Sequence, residues 1–497
     1  MNFIDKFNRL EKHTKYLIII IILFSIIVLS LTSIYHVSGD ACWQLSIGRY
    51  IGSNFKIPLF EQFGRDEPFW APPFYHFIVA LVFYFFNIFS YNAANIAIKF
   101  ISPLFGILTL IFSFLTIKRL LNSRIAFYSV LFIAFLPLFI DYNIFSYVES
   151  TLTFFVVLSV YFLINRKIVL SSIAAGLSIL TKYNGIFIIP VLIYFVFRIN
   201  KKLLLRNLLI TAFVPLLISL PWFIRNWLIL GNPIWPFLNF IFKGVEAASY
   251  SNFNGFGYIF NINTIIFAYL GFFGVPDGNP QNLLFLNIPN FNLILTIWFI
   301  GTLIFILPLV IGFFIKKTNV KYLLYVWIGS YLVLFLLYVA NVSWSVSRML
   351  LPAVPAFAVL WAFGLDYLLK KFNLNLTKTI LILIIFGLIF TETIKISLAA
   401  SQWNLYNKDF EWIRKNTDKD DIIMAGGQCL SYNFDRQTLM PKIENIGRAD
   451  YIWVNQKFKL DKRAIINENI LAETKEDNYK KIYENRKTST IIYRFKQ

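Results

Sequence analysis

The feature that most constrains this chain is a succession of uncharged apolar segments. The first, Tyr16 to Tyr35, is long enough to cross a hydrocarbon core, which takes about 20 residues at helical rise. Of 497 residues, 58% are hydrophobic and only 14% charged, more apolar surface than a soluble fold can bury. The chain therefore reads as an integral membrane protein. A basic start (Lys6, Arg9, Lys12, Lys15) precedes the first run, as in a signal peptide. The run is too long for one and lacks a small-x-small cleavage site, so it is expected to be a retained helix.

Further spans are expected near Ile96 to Ile117, Ile125 to Ile140, Val148 to Ile164, Ile168 to Leu180, Gly185 to Phe197 and Leu203 to Leu220. Others follow near Ile294 to Ile315, Tyr322 to Ala340, Met349 to Leu369 and Ile380 to Leu398. That makes about eleven crossings. The basic residues support the count, because they gather in alternate loops: the N-terminus, Lys118/Arg119/Arg124, Arg166/Lys167, Arg198/Lys201/Lys202/Arg206, Lys316/Lys317/Lys321 and Lys370/Lys371/Lys378. Topology explains the net charge of +20 better than a nucleic-acid partner does, because the basic residues sit in short clusters between apolar segments rather than along one soluble face. The expected orientation is a cytoplasmic N-terminus and an extracytoplasmic tail after Gln402.

The alternation requires that the aromatic segment Phe74 to Phe89 not cross, so a juxtamembrane helix in the interface plane is expected there. Ile168 to Leu180 and Gly185 to Phe197 are short for full spans and fit either two crossings or a re-entrant hairpin. The fold class expected is thus an all-α polytopic membrane module over residues 1–401, with juxtamembrane helices and a first extracytoplasmic loop over 36–95. A Pro, Gly and Asn-rich stretch, Pro221 to Phe291, also lies outside. Residues 402–497 alternate β-type runs (Asp421 to Met424, Tyr451 to Val454, Thr490 to Tyr493) with charged helical ones, which predicts a small extracytoplasmic α/β domain.

Several ionisable residues fall on the outer side. Asp40, in Ser38-Gly39-Asp40-Ala41-Cys42-Trp43, is placed either to cap a helix beginning at Ala41 or to act as a general base facing a groove. Glu149 sits at the outer start of a span, where it favours the helix dipole or supplies a second carboxylate. Lys182, in a tight external turn, stands against the positive-inside bias. With Arg348 and Arg225 it makes three external cations suited to phosphate. Glu67, Tyr75 and His76 are acceptor or loop candidates. Cys42 and Cys429 have no metal-type spacing and histidines are few, so no Cys/His metal site is expected. Both cysteines fall on the oxidising side, yet nothing in the sequence brings the first loop to the tail, so two free thiols are expected.

In this order the motifs resemble the GT-C superfamily, specifically family 39 protein O-mannosyltransferase-like and lipid A aminoarabinose transferase-like enzymes. The resemblance rests on Gly39-Asp40, Pro72-Pro73-Phe74-Tyr75 before the in-plane helix, and Glu149 at the second external loop. It continues through Gly176-Leu177-Ser178-Ile179-Leu180-Thr181-Lys182-Tyr183, Pro221-Trp222-Phe223-Ile224-Arg225-Asn226 with Gly231-Asn232-Pro233, and Arg348-Met349-Leu350-Leu351-Pro352-Ala353-Val354-Pro355. It covers His36 to Pro355 and implies a GT-C fold, with Asp40 as base and Lys182 and Arg348 near the donor phosphate. Asp40 is followed by Ala41, and Trp70-Ala71 precede Pro72, where many relatives carry further charged residues. A divalent cation and the identity of the substrate are therefore left open.

Nucleotide sugars are cytoplasmic, the candidate groups lie outside, and no Gly-rich phosphate loop in a βαβ setting is present, Gly255-Phe256-Gly257 being a poor fit. By elimination the donor is a polyprenyl- or dolichyl-phosphate sugar and the acceptor an extracytoplasmic lipid, glycan or protein. Transfer by a single displacement inverts the anomeric carbon. A transporter or flippase would place its ionisable residues at mid-membrane, whereas Lys99, Asp141, Glu149, Glu392 and Asp366 lie towards span ends. A lipid-linked glycan ligase or polymerase is the nearer alternative, set aside on motif order alone.

Overall fold

The computed structural model describes residues 11–61, 63–64, 67–199, 203–245, 261–275, 302, 305–315, 319–342, 347–372, 392–458, 460 and 479–496. These form two compact units that do not follow chain order. One comprises Met1–Ser33, Ala71–Phe74 and Phe100–Ile394; the other comprises Ile34–Trp70, Tyr75–Lys99 and Lys395–Gln497.

The first unit is helical. Among the described residues five helices are long and apolar enough to cross a membrane: Lys12–Ile34, Tyr91–Leu120, Leu204–Leu230, Val320–Val339 and Ser347–Lys371. A sixth span results if Ser123–Phe135 and Pro137–Ile144 are taken together, although they meet at a bend of 58°. The bend has a local cause. Pro137 has no N–H to give Ile133, and its ring drives Leu136 into extended backbone (φ −72°, ψ 121°). Shorter apolar helices, among them Val148–Ile164 and Ile168–Thr181, occupy other expected spans. Of the span expected near Ile294 to Ile315 the structure describes 302 and 305–315, and of that near Ile380 to Leu398 it describes 392–398; the rest of both lies outside the described residues.

One helix runs further than hydropathy indicated. The span expected to end at Leu220 continues through Pro215 and Pro221 to Leu230, where Gly231 takes a left-handed conformation (φ 67°). Each proline removes one backbone donor. Between the two prolines the Ser219 hydroxyl donates back to the Pro215 carbonyl at 2.9 Å. Val148–Ile164 packs between Ile101–Leu120 and Ile168–Thr181, and Ile168–Thr181 packs in turn on Leu204–Leu230.

The second unit joins the first loop to the tail. Helix Asp40–Asn54 packs on helix Phe74–Asn87 through Gly48 and Gly52, and a Cβ at Gly52 would lie 2.7 Å from the Ala80 carbonyl oxygen. Only glycine allows that approach. Phe74–Asn87 has 14 residues, short of a span; it buries Tyr75, His76, Val79, Ala80 and Phe83 and exposes Phe77, Leu81, Tyr84, Phe85 and Phe86. Strands β1 (Phe60–Glu61) and β2 (Glu67–Pro68) form a small antiparallel pair.

The tail carries a five-stranded sheet: β3 (Ile422–Met424), β4 (Gln437–Leu439), β5 (Tyr451–Val454), β6 (Tyr479–Asn485) and β7 (Thr490–Phe495), in the order β4-β3-β5-β7-β6. β3 pairs parallel with β4 and β5, and β7 pairs antiparallel with β5 and β6. Ile452, Met424 and Val454 form its core with Tyr479. Asp409, fully buried, accepts hydrogen bonds from Tyr483, Asn485, Thr488 and Thr490 at 2.7 to 2.8 Å, which ties the preceding helix to the β6–β7 hairpin.

The expectation of two free thiols is overturned: Cys42 and Cys429 form a disulfide. Helix Gln428–Phe434, between β3 and β4, packs against Asp40–Asn54 and brings the two Cα atoms to 4.9 Å. Sequence spacing could not show this, because the bridge spans 387 positions and depends on the tail's βαβ turn.

Candidate active site

Within the first unit three residues singled out by the sequence converge. Glu149 lies in the first turn of Val148–Ile164 and is 1% exposed. Its helix start is pinned by Ser102, whose hydroxyl donates to the Tyr147 carbonyl at 2.9 Å, and by Ser150, which donates to that of Tyr142 at 2.7 Å. Lys182 follows the end of Ile168–Thr181 in extended backbone, before the 3-10 turn Tyr183–Ile188. Gly185 makes the turn feasible, since a Cβ there would run into the Ser178 carbonyl. Arg348 projects from the 3-10 turn Ser347–Ala353, which Asn184 joins by donating to Met349 Sδ at 2.9 Å.

The two cations meet one carboxylate oxygen. Lys182 Nζ lies 2.7 Å and Arg348 Nε 3.5 Å from Glu149 Oε1, while Oε2 has no hydrogen-bond partner among the described residues. Exposure rises from the Glu149 side chain at 1% to that of Arg348 at 14% and of Lys182 at 23%. The cluster is a +1 assembly whose negative member is buried and whose cations open outward. Such a site suits an anion, because two cations face a single carboxylate that holds them in place. The Arg348 guanidinium also lies over the Tyr147 ring at 5.4 Å.

Arg225 reaches the same turn indirectly. It donates to Asn226 Oδ1 at 2.7 Å, and Asn226 donates to the Tyr183 hydroxyl at 2.7 Å, next to Lys182. Its guanidinium stacks over Trp222 at 4.8 Å. Tyr147, Tyr183, Asn184 and Asn226 were not singled out from sequence. Asn226 closes the segment Pro221-Trp222-Phe223-Ile224-Arg225-Asn226, where an amide beside a cation is the available signal.

At the other end of this unit Arg124 and Lys370 flank Asp366, at 2.8 and 2.6 Å, and Lys118 meets Glu11 at 2.8 Å. Ser347–Ala353 and Lys370 lie at opposite ends of one continuous helical segment, so the loop basic residues and the Glu149 cluster are separated by the bundle's length.

In the second unit, Gly39 (φ 61°) is the N-cap and Asp40 the first residue of its helix, not the cap itself. Asp40 Oδ1 accepts from Gln428 Nε2 at 3.2 Å. Glu67 Oε1 accepts from Trp70 Nε1 at 3.4 Å. Tyr75 and His76 are buried, His76 edge-on to Phe69 and Trp43 at 5.2 and 5.8 Å. No local pattern marks Gln428 in the sequence beyond its place next to Cys429. Among the described residues no three of His, Cys, Asp and Glu come together as a metal-binding group.

An apolar helical bundle with a clustered charge site at one end and a small sheet domain in the tail defines a class of membrane protein: the chain has the GT-C fold. Residues 70–225, which include Glu149, Lys182 and Arg225, match the family described as dolichyl-phosphate-mannose-protein mannosyltransferase. The structure is similar to that of ArnT from Cupriavidus metallidurans bound to undecaprenyl phosphate, with TM-score 0.61 and 13% identity over 97% of this chain and 98% of that one. It is also similar to the oligosaccharyltransferase AglB from Archaeoglobus fulgidus in complex with an inhibitory peptide and a dolichol-phosphate. There the TM-score is 0.54 at 13% identity, over 97% of this chain and 74% of that one. Comparison with curated protein sequences gives no match.

Proposed function

We propose that this protein is an integral membrane glycosyltransferase that moves a sugar from a polyprenyl- or dolichyl-phosphate donor to an extracytoplasmic acceptor. The observation that carries the reading is the convergence of Lys182 and Arg348 on buried Glu149. A lipid-linked phosphate leaves as an anion, and cations held in position before it arrives stabilise the charge that develops on it. Glu149 serves as their fixed counter-ion, and Arg225 adds a third positive group beside the same turn. The family match and the lipid phosphates named with the two structural relatives support this donor class.

Asp40 is assigned the base. As the acceptor oxygen bonds to the anomeric carbon, the carbon–oxygen bond to the phosphate breaks, the acceptor proton passes to Asp40, and the lipid phosphate departs with the electron pair. A single displacement inverts that carbon. Replacing Asp40 with Asn keeps size and removes proton-accepting power, so transfer should fall by about 10² to 10⁴ with folding preserved. Near-normal transfer by the Asn variant would remove Asp40 from the mechanism and make Glu149 the next base to test. Lys182→Met and Arg348→Met should lower both donor affinity and kcat, with losses that are not additive. The likeness to AglB favours a second reading, transfer of a whole oligosaccharide. The mass of the headgroup on the lipid co-purifying with the protein distinguishes the two.

A further inference from the structure

We propose that Gln428, held by the Cys42–Cys429 disulfide, is a positioning residue that aims the Asp40 carboxylate. This rests on the assignment of Asp40 as the base and adds the device that orients it.

Gln428 is buried, and its amide donates to Asp40 Oδ1 at 3.2 Å. A donor from the side fixes which way a first-turn carboxylate points, and Asp40 is not held as a cap, Gly39 filling that position. The amide is itself fixed from several directions. Cys429, the next residue, is bonded to Cys42, two residues beyond Asp40. The Cys429 sulfur also lies 3.6 Å from the Gly39 carbonyl oxygen. Gly426 and Gly427 adopt left-handed backbone (φ 60° and 74°), which turns the chain sharply from the end of β3 into the helix that carries Gln428. Ala425 and Gly426 both donate to the Leu439 carbonyl, at 3.2 and 3.0 Å. Gly64 closes on this turn so tightly that a Cβ on it would lie 2.8 Å from the Gln428 nitrogen.

A side chain locked by a covalent bridge, two left-handed glycines and a close backbone approach suits the orientation of a reacting group, where an error of about 1 Å can cost 10²-fold in rate. An amide needed only to satisfy a half-buried carboxylate would not require the bridge beside it.

The test compares four forms of the full-length protein in lipid nanodiscs: Gln428→Leu, Cys42→Ala/Cys429→Ala, the triple variant, and Asp40→Asn. Dolichyl-phosphate mannose and undecaprenyl-phosphate hexose are the defined donor probes, and the co-purifying lipid is the native one. Gln428→Leu should lose about 10- to 100-fold in kcat with donor KM unchanged, while eluting as a single species with its disulfide intact by mass. The bridge double variant should lose a similar factor, and the triple variant no more than about threefold beyond either, because both act through one contact. Wild-type kcat in Gln428→Leu, or a loss confined to KM or to thermal stability, would overturn the positioning role. If the bridge variant fails to fold, Gln428→Leu decides alone. An inactive Asp40→Asn beside a fully active Gln428→Leu discards this inference and leaves the base assignment standing; an active Asp40→Asn discards the base assignment.

Discussion

At the scale of single residues the charge balance around Glu149 makes a quantitative prediction. Substituting Gln removes the counter-charge and leaves two cations sharing one oxygen. Breaking a buried pair in this way costs about 3 to 5 kcal/mol, and the partial exposure of Lys182 should reduce that to roughly 2 to 4. Adding Lys182→Met removes one of the repelling charges and should return part of the loss. Thermal unfolding of wild type, both single variants and the double variant in detergent measures the coupling. Strict additivity would mean that Glu149 and Lys182 are not coupled.

His36 provides a pH handle on the second unit. It stacks on Trp403 with centroids 4.9 Å apart, and burial pushes its imidazole down from 6.5 to about 4, with the charge of nearby Lys99 acting in the same direction. The folded state therefore binds fewer protons at this site than the unfolded chain between those values. Its stability is complete above pH 6.5 and falls as pH drops towards 4. Over that window wild type should lose about 1 to 3 kcal/mol relative to His36→Phe, seen as melting curves that diverge below pH 6.5. Parallel curves would show that the ring titrates as an exposed histidine.

At the scale of elements, the first unit's contacts depend on small residues, as expected where lipid provides little drive for helices to associate. Gly312, in helix Phe305–Phe314, and Gly364, in Val354–Lys371, face each other. A Cβ on either would enter the other helix's backbone, at the Leu360 and Pro308 carbonyls respectively. Gly364→Ala should therefore destabilise by about 1 to 3 kcal/mol or more through overpacking. Gly329→Ala meets nothing within 4 Å and should be neutral or slightly stabilising, because alanine favours the helix. Comparison of the two by thermal melting checks the packing, and equal effects would contradict it. Helix boundaries illustrate a different limit. Proline stopped the sequence reading at Leu220 but not the helix, while Pro137 did break its span. One residue type gave opposite outcomes, so a missing N–H alone does not decide whether a helix continues.

For the whole molecule, the alternation of basic loops predicts an orientation with the N-terminus in the cytoplasm and the tail outside. A membrane-impermeant thiol reagent on intact cells should label an engineered cysteine on the tail surface, at exposed Lys480, and not one near Lys201. The reverse pattern would invert the topology and place the Glu149 cluster in the cytoplasm.

What could be read from the chain alone is what local physics controls. Apolar runs of membrane length made the helical bundle, and the β-type runs at 421–424, 451–454 and 490–493 became strands of the tail sheet. Glu149, Lys182 and Arg348 were legible one at a time as charges out of keeping with their apolar surroundings. β4 and β6 were not legible. β4 is three residues long, and β6 carries the adjacent Lys480 and Lys481 and a register shift between Lys481 and Tyr483, so it lacks a regular two-residue alternation. Tertiary structure alone decided that Lys182 and Arg348 share one oxygen of Glu149, and that Cys429 meets Cys42 with Gln428 against Asp40. The reason is distance along the chain. Hydropathy and capping act over a few residues, whereas these contacts join positions up to 388 apart, which no local pattern encodes and only packing brings together.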